Sequence, residues 1–224
     1  MKNKKVLITD IEWFESGPLK NPIASLDHEL EKYNPTLYCL NYDTKLLATD
    51  PPTKAEKEFI MYNDYREKYG TRDLSSLDSE IRRAGAKNLF LNGFNQDLFE
   101  YIVPLIKDSA EILYFFKCPQ ISDLSELSQF SKLKCVHIFC NDSLTKLWDM
   151  TNATNLRIIS FNMVSKLNDI ETLKHSFVEY VHLDGIDNNG CKKPALFNVS
   201  IFEQMPHLRY LSLDFENLEI KKTW

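Results

Sequence analysis

The hydrophobic pattern between residues 110 and 183 is a short phrase that returns at a nearly constant interval. Its apolar residues occupy positions one, four and six, as in Ala110–Phe115 (Ala-Glu-Ile-Leu-Tyr-Phe). Three further copies begin at Leu133, Leu156 and Val178, so the first positions lie 23, 23 and 22 residues apart. After each phrase comes a second apolar set at helical or turn-like spacing: Ile121, Leu124, Leu127 and Phe130; Leu144, Leu147 and Met150; Leu167, Ile170 and Leu173. The pattern predicts stacked repeat units, each made of a strand and a return segment.

The same frame extends in both directions along the chain. Upstream, Ala86–Leu91 fits the phrase 24 residues before Ala110, and its return segment has helical spacing. Downstream, Leu208–Leu213 fits the phrase 30 residues after Val178. The unit that begins at Val178 is therefore about seven residues longer than the usual 23. Six units are therefore predicted, with the inserted loop at Asn188–Pro194 as a secondary contact candidate.

Two return segments, Ile121–Leu127 and Leu167–Leu173, resemble those of bacterial leucine-rich repeats of the internalin type. In that family an Asp before an aliphatic residue turns the chain off the strand. The ninth position, where the family has Asn or Cys bonded to the neighbouring backbone, holds Cys118 and Asn141, but apolar residues in the next two units. The resemblance implies an α/β fold, a leucine-rich-repeat solenoid with a curved parallel β-sheet. It implies no particular partner.

Residues 1–85 do not repeat, and they are predicted to form an α/β N-terminal capping region before the solenoid of residues 86–224. A helix is expected to begin at Asn21-Pro22. A capping box at Thr53–Glu56 predicts a second helix that runs to Tyr69, and a third is expected over residues 74–84. Residues 37–48 favour a hairpin, although Leu37–Tyr42 also imitates the repeat phrase. Such a cap would cover the apolar end and the free strand edge of the first unit.

The chain ends soon after the last phrase. Residues 214–224 are too few for a full capping unit. Either Leu218, Ile220 and Trp224 fold over the last unit, or this edge meets another molecule, with a homodimer as one possibility.

Positions three, five and seven of each phrase are expected to face outward, onto the concave side of the sheet. Reading these three rows down the six units gives Asn88, Ile112, Cys135, Ile158, Tyr180 and Tyr210; Phe90, Tyr114, His137, Ser160, His182 and Ser212; Asn92, Phe116, Phe139, Asn162, Asp184 and Asp214. A contiguous apolar and aromatic patch on a protein surface usually marks an interaction site. The predicted partner-binding residues are Ile112, Tyr114, Phe116, His137, Phe139, Ile158, Tyr180, His182, Asp184 and Tyr210. Two alternatives stay open: the faces are wrongly assigned there, or part of the cap folds into the groove.

Composition and charge narrow the possible functions. The net charge is −5 with a pI near 5.6, and no basic stripe is visible, so a nucleic-acid partner is not expected. The amino terminus has only three consecutive apolar residues before Thr9, too few for a signal peptide or a membrane span, which predicts a cytoplasmic protein. The five cysteines fit no zinc spacing, so we expect no metal and no cofactor.

Catalysis finds little support in the sequence. Cys135 and His137 would face the same side of one strand, but no third residue is evident to orient the imidazole. Two units separate His137 from His182, which is too far for one shared metal ion without a further ligand. No phosphate-binding glycine loop or nucleophile elbow occurs.

The expected function is non-catalytic protein–protein recognition, as in a bacterial cytosolic adaptor, a toxin-neutralising protein or an effector. The alternatives are an enzyme with an active site around Asp10 and Glu12, and a structural protein that self-associates through its carboxyl-terminal edge.

Overall fold

The computed structural model describes residues 38–41, 60–61, 78, 88–187 and 189–223. These residues form an α/β fold built on one nine-stranded sheet in the order β2-β1-β3-β4-β5-β6-β7-β8-β9. Its strands are β1 (Tyr38–Asn41), β2 (Ile60–Met61), β3 (Asn88–Asn92), β4 (Ile112–Phe116), β5 (Cys135–Phe139), β6 (Ile158–Asn162), β7 (Tyr180–Asp184), β8 (Tyr210–Phe215) and β9 (Leu218–Thr223). All neighbouring pairs are parallel except β8 and β9, which are antiparallel. The predicted α/β class is confirmed, and the sheet is parallel as predicted except at β9.

The strand register matches the alignment of the phrases. Ile112 lies beside Cys135, Cys135 beside Ile158, and Ile158 beside Tyr180, so equal positions of successive phrases are neighbours in the sheet. Each strand begins at position three. Position two lies before the strand, where its carbonyl accepts from the next unit, as when Glu111 accepts from the Cys135 N–H.

The segments between the strands pack on one face of the sheet. Helix α1 (Gln96–Ile106) follows β3, and the side chain of its N-cap Asn95 accepts from the Leu98 N–H at 2.9 Å. Three later connections contain short 3-10 helices: Ser125–Gln129, Glu171–His175 and Val199–Gln204. The connection from β5 to β6, residues 140–157, contains no helix, but it buries Leu144, Leu147, Trp148 and Met150.

One hydrophobic core joins these return segments to the first face of the sheet, which is formed by positions four and six. Position one, just before the strand, belongs to the same core from Ala110 onward. Leu113, Phe115 and their counterparts in the neighbouring units are buried there, as predicted. On α1, Phe99 meets Phe115 edge-on with ring centroids 5.3 Å apart. The buried side chains of α1 and of the three 3-10 helices belong to this core.

Ninth-position side chains bond to the backbone of the preceding unit. The Cys118 thiol donates to the Leu91 carbonyl at 3.4 Å. Asn141 Nδ2 donates to the carbonyls of Cys118 at 3.0 Å and Ile121 at 2.8 Å, while its Oδ1 accepts from two N–H groups of its own unit. The hydrogen-bonding capacity of this buried amide is therefore fully used.

The eighth position, just after the strand, adopts a left-handed backbone in four successive units. The φ angles are +69° at Gly93, +50° at Lys117, +63° at Cys140 and +57° at Met163. This conformation turns the chain off the strand, and the N–H of Lys117 still donates to the Phe139 carbonyl at 2.9 Å. Only the first of the four residues is a glycine, so residue type alone did not reveal the pattern.

The sheet continues into residues that were predicted to form the cap. Strand β1 pairs in parallel with β3, with Tyr38 beside Leu89, so the predicted hairpin is wrong at residues 38–41. Residues 60 and 61 form strand β2, so the helix predicted from the capping box is wrong there, because pairing with β1 overrides the local helix signal. Asp78 is helical, in agreement with the third predicted helix. The helix predicted from Asn21 lies outside the described residues.

At the carboxyl end β9 folds back beside β8, with Ile220 next to Leu213. Leu218 and Ile220 pack against the core, which is the first of the two alternatives considered for this end. Trp224 lies outside the described residues.

No helix in the described part of the chain has the length and apolar character that a membrane crossing requires.

Candidate functional site

The predicted partner-binding residues lie together on the second face of the sheet, which is formed by positions three, five and seven. On this face Tyr114 is beside His137, and Phe116 is beside Phe139. In the row of position three, Ile158 is beside Tyr180, and Tyr180 is beside Tyr210. The spacing of the phrases therefore predicted correctly which of these residues are neighbours in the sheet.

The expectation that this whole face is open to solvent is wrong. Ile112, Tyr114, Phe116, His137, Phe139, Ile158 and Asp184 are buried, with at most 8% of any of these residues exposed. Strand β4 is apolar at every position, which is typical of parallel strands buried on both faces. These residues are not part of the core formed by the first face, α1 and the three 3-10 helices.

Aromatic rings stack across β4 and β5 on the second face. The rings of Phe116 and Phe139 are nearly parallel, with centroids 5.2 Å apart. The Tyr114 ring lies against the His137 imidazole, with ring centroids 4.4 Å apart, and meets the Phe116 ring edge-on, with centroids 6.2 Å apart. Such contacts fix the rings in one arrangement and add to the stability of the sheet.

The second face becomes more accessible at β7 and β8. Tyr180, His182, Tyr210 and Ser212 are only half-buried. The Tyr180 and Tyr210 rings stack with centroids 6.4 Å apart, and both present surface to solvent. This end is the part of the predicted site that another molecule can reach directly.

The two candidate catalytic groups on β5 are both held in their neutral forms. Burial lowers the pKa of His137 to about 3, and the nearby His182 adds to this shift, while a hydrogen bond to the Ser160 backbone opposes it. Burial raises the pKa of the Cys135 thiol to about 12. A thiolate–imidazolium pair needs the opposite shifts, so this arrangement does not support a cysteine nucleophile.

Asp184 stands at the polar end of the face. Burial raises the pKa of its carboxyl to about 6, and the neighbouring Asp214 contributes to the rise. Its Oδ1 accepts from the backbone N–H groups of Met163 at 2.8 Å and Ile186 at 3.2 Å, which oppose the shift. The side chain thus ties the end of β7 to the turn after β6.

Sequence reasoning missed two polar residues in the middle of the face. Ser160 is completely buried between His137 and His182 on the neighbouring strands. Asn162, also buried, contacts His182 through Oδ1, with 3.1 Å to the imidazole Nε2. Polar residues at outward positions resemble an ordinary solvated surface in the sequence, so only their burial marks them as unusual.

Other candidate features give no site. Among the described residues, no cluster of three or more His, Cys, Asp and Glu side chains could hold a metal ion. Cys118, Cys135 and Cys191 are free thiols. Asp10 and Glu12 lie outside the described residues, so the structure does not test the enzyme alternative placed there.

The inserted loop forms a small closed turn. Ile186 and Lys192 make an antiparallel bridge, and the Asp187 carboxylate accepts from the N–H groups of Asn189 and Cys191. Asp187 also pairs with Lys193 at 2.9 Å. The turn is locally stabilised, and its role as a secondary contact stays a prediction.

No protein-family model, curated protein or solved structure matches the chain.

Proposed function

We propose that this chain recognises another protein, without catalysis, through the second face of a leucine-rich-repeat solenoid. Three features support the solenoid architecture. Strands β3 to β8 follow one another in chain order, and their return segments share one core. In four of the units the residue at position eight, just after the strand, has a left-handed backbone conformation. The bonds from Cys118 and Asn141 to the preceding unit are those that the family resemblance implies. In a solenoid the second face would be the concave one.

The observation that carries the functional proposal is the aromatic character of the second face. Rings stack across β4 and β5, where they are buried, and again across β7 and β8, where they are half-buried; none of them belongs to the core that holds the units together. Rigid, half-buried tyrosines such as Tyr180 and Tyr210 offer large contact areas at a small entropic cost on binding. We therefore expect first contact at Tyr180, His182 and Tyr210, with Asp184 at the border. The partner is a protein of unknown identity, and the chain acts in the cytoplasm as an adaptor, a toxin-neutralising protein or an effector.

The test compares capture of proteins from lysate of the native organism by the wild-type chain and by a Tyr180→Ala/Tyr210→Ala variant. We expect a protein that the wild type retains and that the variant captures at least tenfold less, because both tyrosines lose their contact surface. Direct binding of the purified partner, with a Kd for each variant, completes the measurement.

The matched control is Leu196→Ala/Val199→Ala, which also removes two exposed hydrophobic side chains but outside the second face. All variants must show wild-type circular dichroism and melting. Equal capture by all three chains, or loss in the control as well, would contradict recognition through this face.

A further inference from the structure

Three neighbouring polar atoms on the second face are buried without a hydrogen-bond partner in the described part of the chain. They are His137 Nε2 on β5, and Ser160 Oγ and Asn162 Nδ2 on β6. The three residues are 8%, 0% and 3% exposed. His137 is directly beside Ser160 in the register, and Asn162 follows two residues later on the same side of β6. The three residues are therefore neighbours on one side of β5 and β6.

Two buried side chains of the same types, elsewhere in the chain, are fully hydrogen-bonded. Ser176 is as buried as Ser160, yet its hydroxyl donates to the Leu173 carbonyl at 2.7 Å. Asn141 is as buried as Asn162, yet both ends of its amide are bonded. Proteins seldom leave buried polar atoms unsatisfied, because each has lost its bonds to water and gained none in return. An unsatisfied group of three points to a partner that binds there.

The chemistry of the three atoms defines which group can complete their hydrogen bonding. Since His137 Nε2 has no partner, the bond between this imidazole and the Ser160 backbone is made by Nδ1. In the neutral ring Nε2 is then an acceptor. Asn162 Oδ1 is engaged with His182, which leaves Nδ2 as a donor. The Ser160 hydroxyl can donate or accept a hydrogen bond.

The required group must therefore both donate and accept, and it must be neutral. A carboxylate could not donate to His137, and an ammonium could not accept from Asn162. His137 and Asn162 lie diagonally across two strands, on the order of 8 Å apart at the backbone, so one hydroxyl reaches both poorly. A carboxamide carries its donor and its acceptor on different atoms of one planar group. It can therefore donate to His137 on β5 and accept from Asn162 on β6 at the same time.

We propose that His137, Ser160 and Asn162 receive a side-chain carboxamide, from an Asn or Gln of the bound protein. This inference rests on the proposed recognition function and names the chemistry at the centre of that contact. On β7, Tyr180 and His182 are half-buried, and His182 is directly beside Ser160. The aromatic surface supplies contact area, and the three polar atoms select a neutral amide within it.

The first test needs no partner and uses matched serine deletions in the full chain. Ser160→Ala is expected to melt at or above the wild-type temperature, because it removes a hydroxyl that has no bond in the free protein. Ser176→Ala removes a bonded hydroxyl of equal burial and is expected to melt a few degrees lower. If Ser160→Ala melts as low as Ser176→Ala, the hydroxyl is already satisfied in the free chain, for example by an internal water molecule. That result overturns the proposal.

The second test uses the protein captured in the experiment above. Ser160→Ala and Asn162→Ala should each weaken its binding about tenfold, the effect of losing roughly one good hydrogen bond. Each Asn and Gln of the captured protein is then changed to Ala, and double-mutant cycles are measured against Asn162→Ala. One amide should show strong coupling, so that the second change costs little once the first is present.

The outcomes separate this inference from the function on which it rests. If Tyr180→Ala/Tyr210→Ala abolishes binding but Ser160→Ala and Asn162→Ala do not weaken it, recognition stands and the carboxamide site is wrong. If no amide of the partner couples to Asn162, the site is likewise wrong. If no protein depends on the tyrosines, the recognition function itself fails.

Discussion

Asp184 shows how one buried side chain makes the stability of this protein depend on pH. Its pKa is about 6 in the folded chain, above the ordinary value of 3.8, because burial disfavours the charged form. Ionisation therefore costs more in the folded state than in the unfolded state. The carboxyl contributes most stability below pH 3.8, and this contribution is lost as the pH rises through 6.

We expect Asp184→Asn to stabilise the protein at pH 7.5. The amide oxygen can still accept from Met163 and Ile186, while the cost of the buried charge disappears. The free energy of unfolding should rise by up to about 3 kcal/mol, since one pKa unit corresponds to about 1.4 kcal/mol.

Urea unfolding of both chains at pH 7.5 and pH 4 measures this effect, and the gain should fall below about 1 kcal/mol at pH 4. His137, whose pKa is lowered to about 3, destabilises both chains equally as the pH falls below 6.5, so it cancels in the comparison. A gain of equal size at both pH values would contradict the assignment to the Asp184 charge.

At the residue scale the sequence was informative about which side chains share a face and poor about their burial. The repeat period alone placed Tyr114 beside His137 and Phe116 beside Phe139, as the register of β4 and β5 confirms. Their burial had a signal in the unbroken apolar run of β4, which favours a strand covered on both sides. Ser160 and Asn162 had none, because serine and asparagine are common on solvated sheet faces.

At the scale of the elements, the repeated left-handed turn is the feature that residue types concealed. Lys117, Cys140 and Met163 adopt positive φ, which costs about 1 kcal/mol or more in a residue with a Cβ atom. The strands and return segments were predictable, because apolar spacing distinguishes them. A turn held by its neighbours' hydrogen bonds requires no particular side chain.

We expect Lys117→Gly to be more stable than Lys117→Ala by about 1 kcal/mol, because glycine relieves the backbone strain at φ +50°. The alanine variant is the matched control. Both changes remove the ammonium that lies 5.3 Å from the Phe116 ring, so their difference reports the backbone alone. Thermal unfolding of the pair provides the measurement, and an alanine variant as stable as the glycine variant would show that the turn is not strained.

At the scale of the whole molecule, β9 changes the expectation for the carboxyl-terminal edge. The antiparallel strand closes the end of the parallel array, and its sequence places Glu219, Lys221 and Lys222 along the outermost strand. Charged residues on an edge strand oppose pairing with a second copy. The sequence indicated only that Leu218, Ile220 and Trp224 could fold over the last unit. The hairpin itself was not predicted, because Glu216-Asn217 is not one of the strong turn pairs.

We expect this edge to remain unpaired, with light scattering giving the mass of one chain from low to high micromolar concentration. Replacement of Glu219, Lys221 and Lys222 by threonine should produce a mass that rises with concentration, because the edge loses its charges. A wild-type mass that rises with concentration, and that returns to one chain in Lys221→Pro, would instead favour self-association through this edge.

The chain-order arrangement of β3 to β8 has a consequence for how the protein is made. Each strand from β4 to β8, as it leaves the ribosome, finds the strand it pairs with already synthesised about 23 residues earlier, or about 30 residues earlier for β8. Folding can thus advance with translation, one unit at a time, without waiting for distant sequence. The hairpin formed by β8 and β9 emerges after these strands, so the growing edge stays open to incoming strands until β9 pairs with β8.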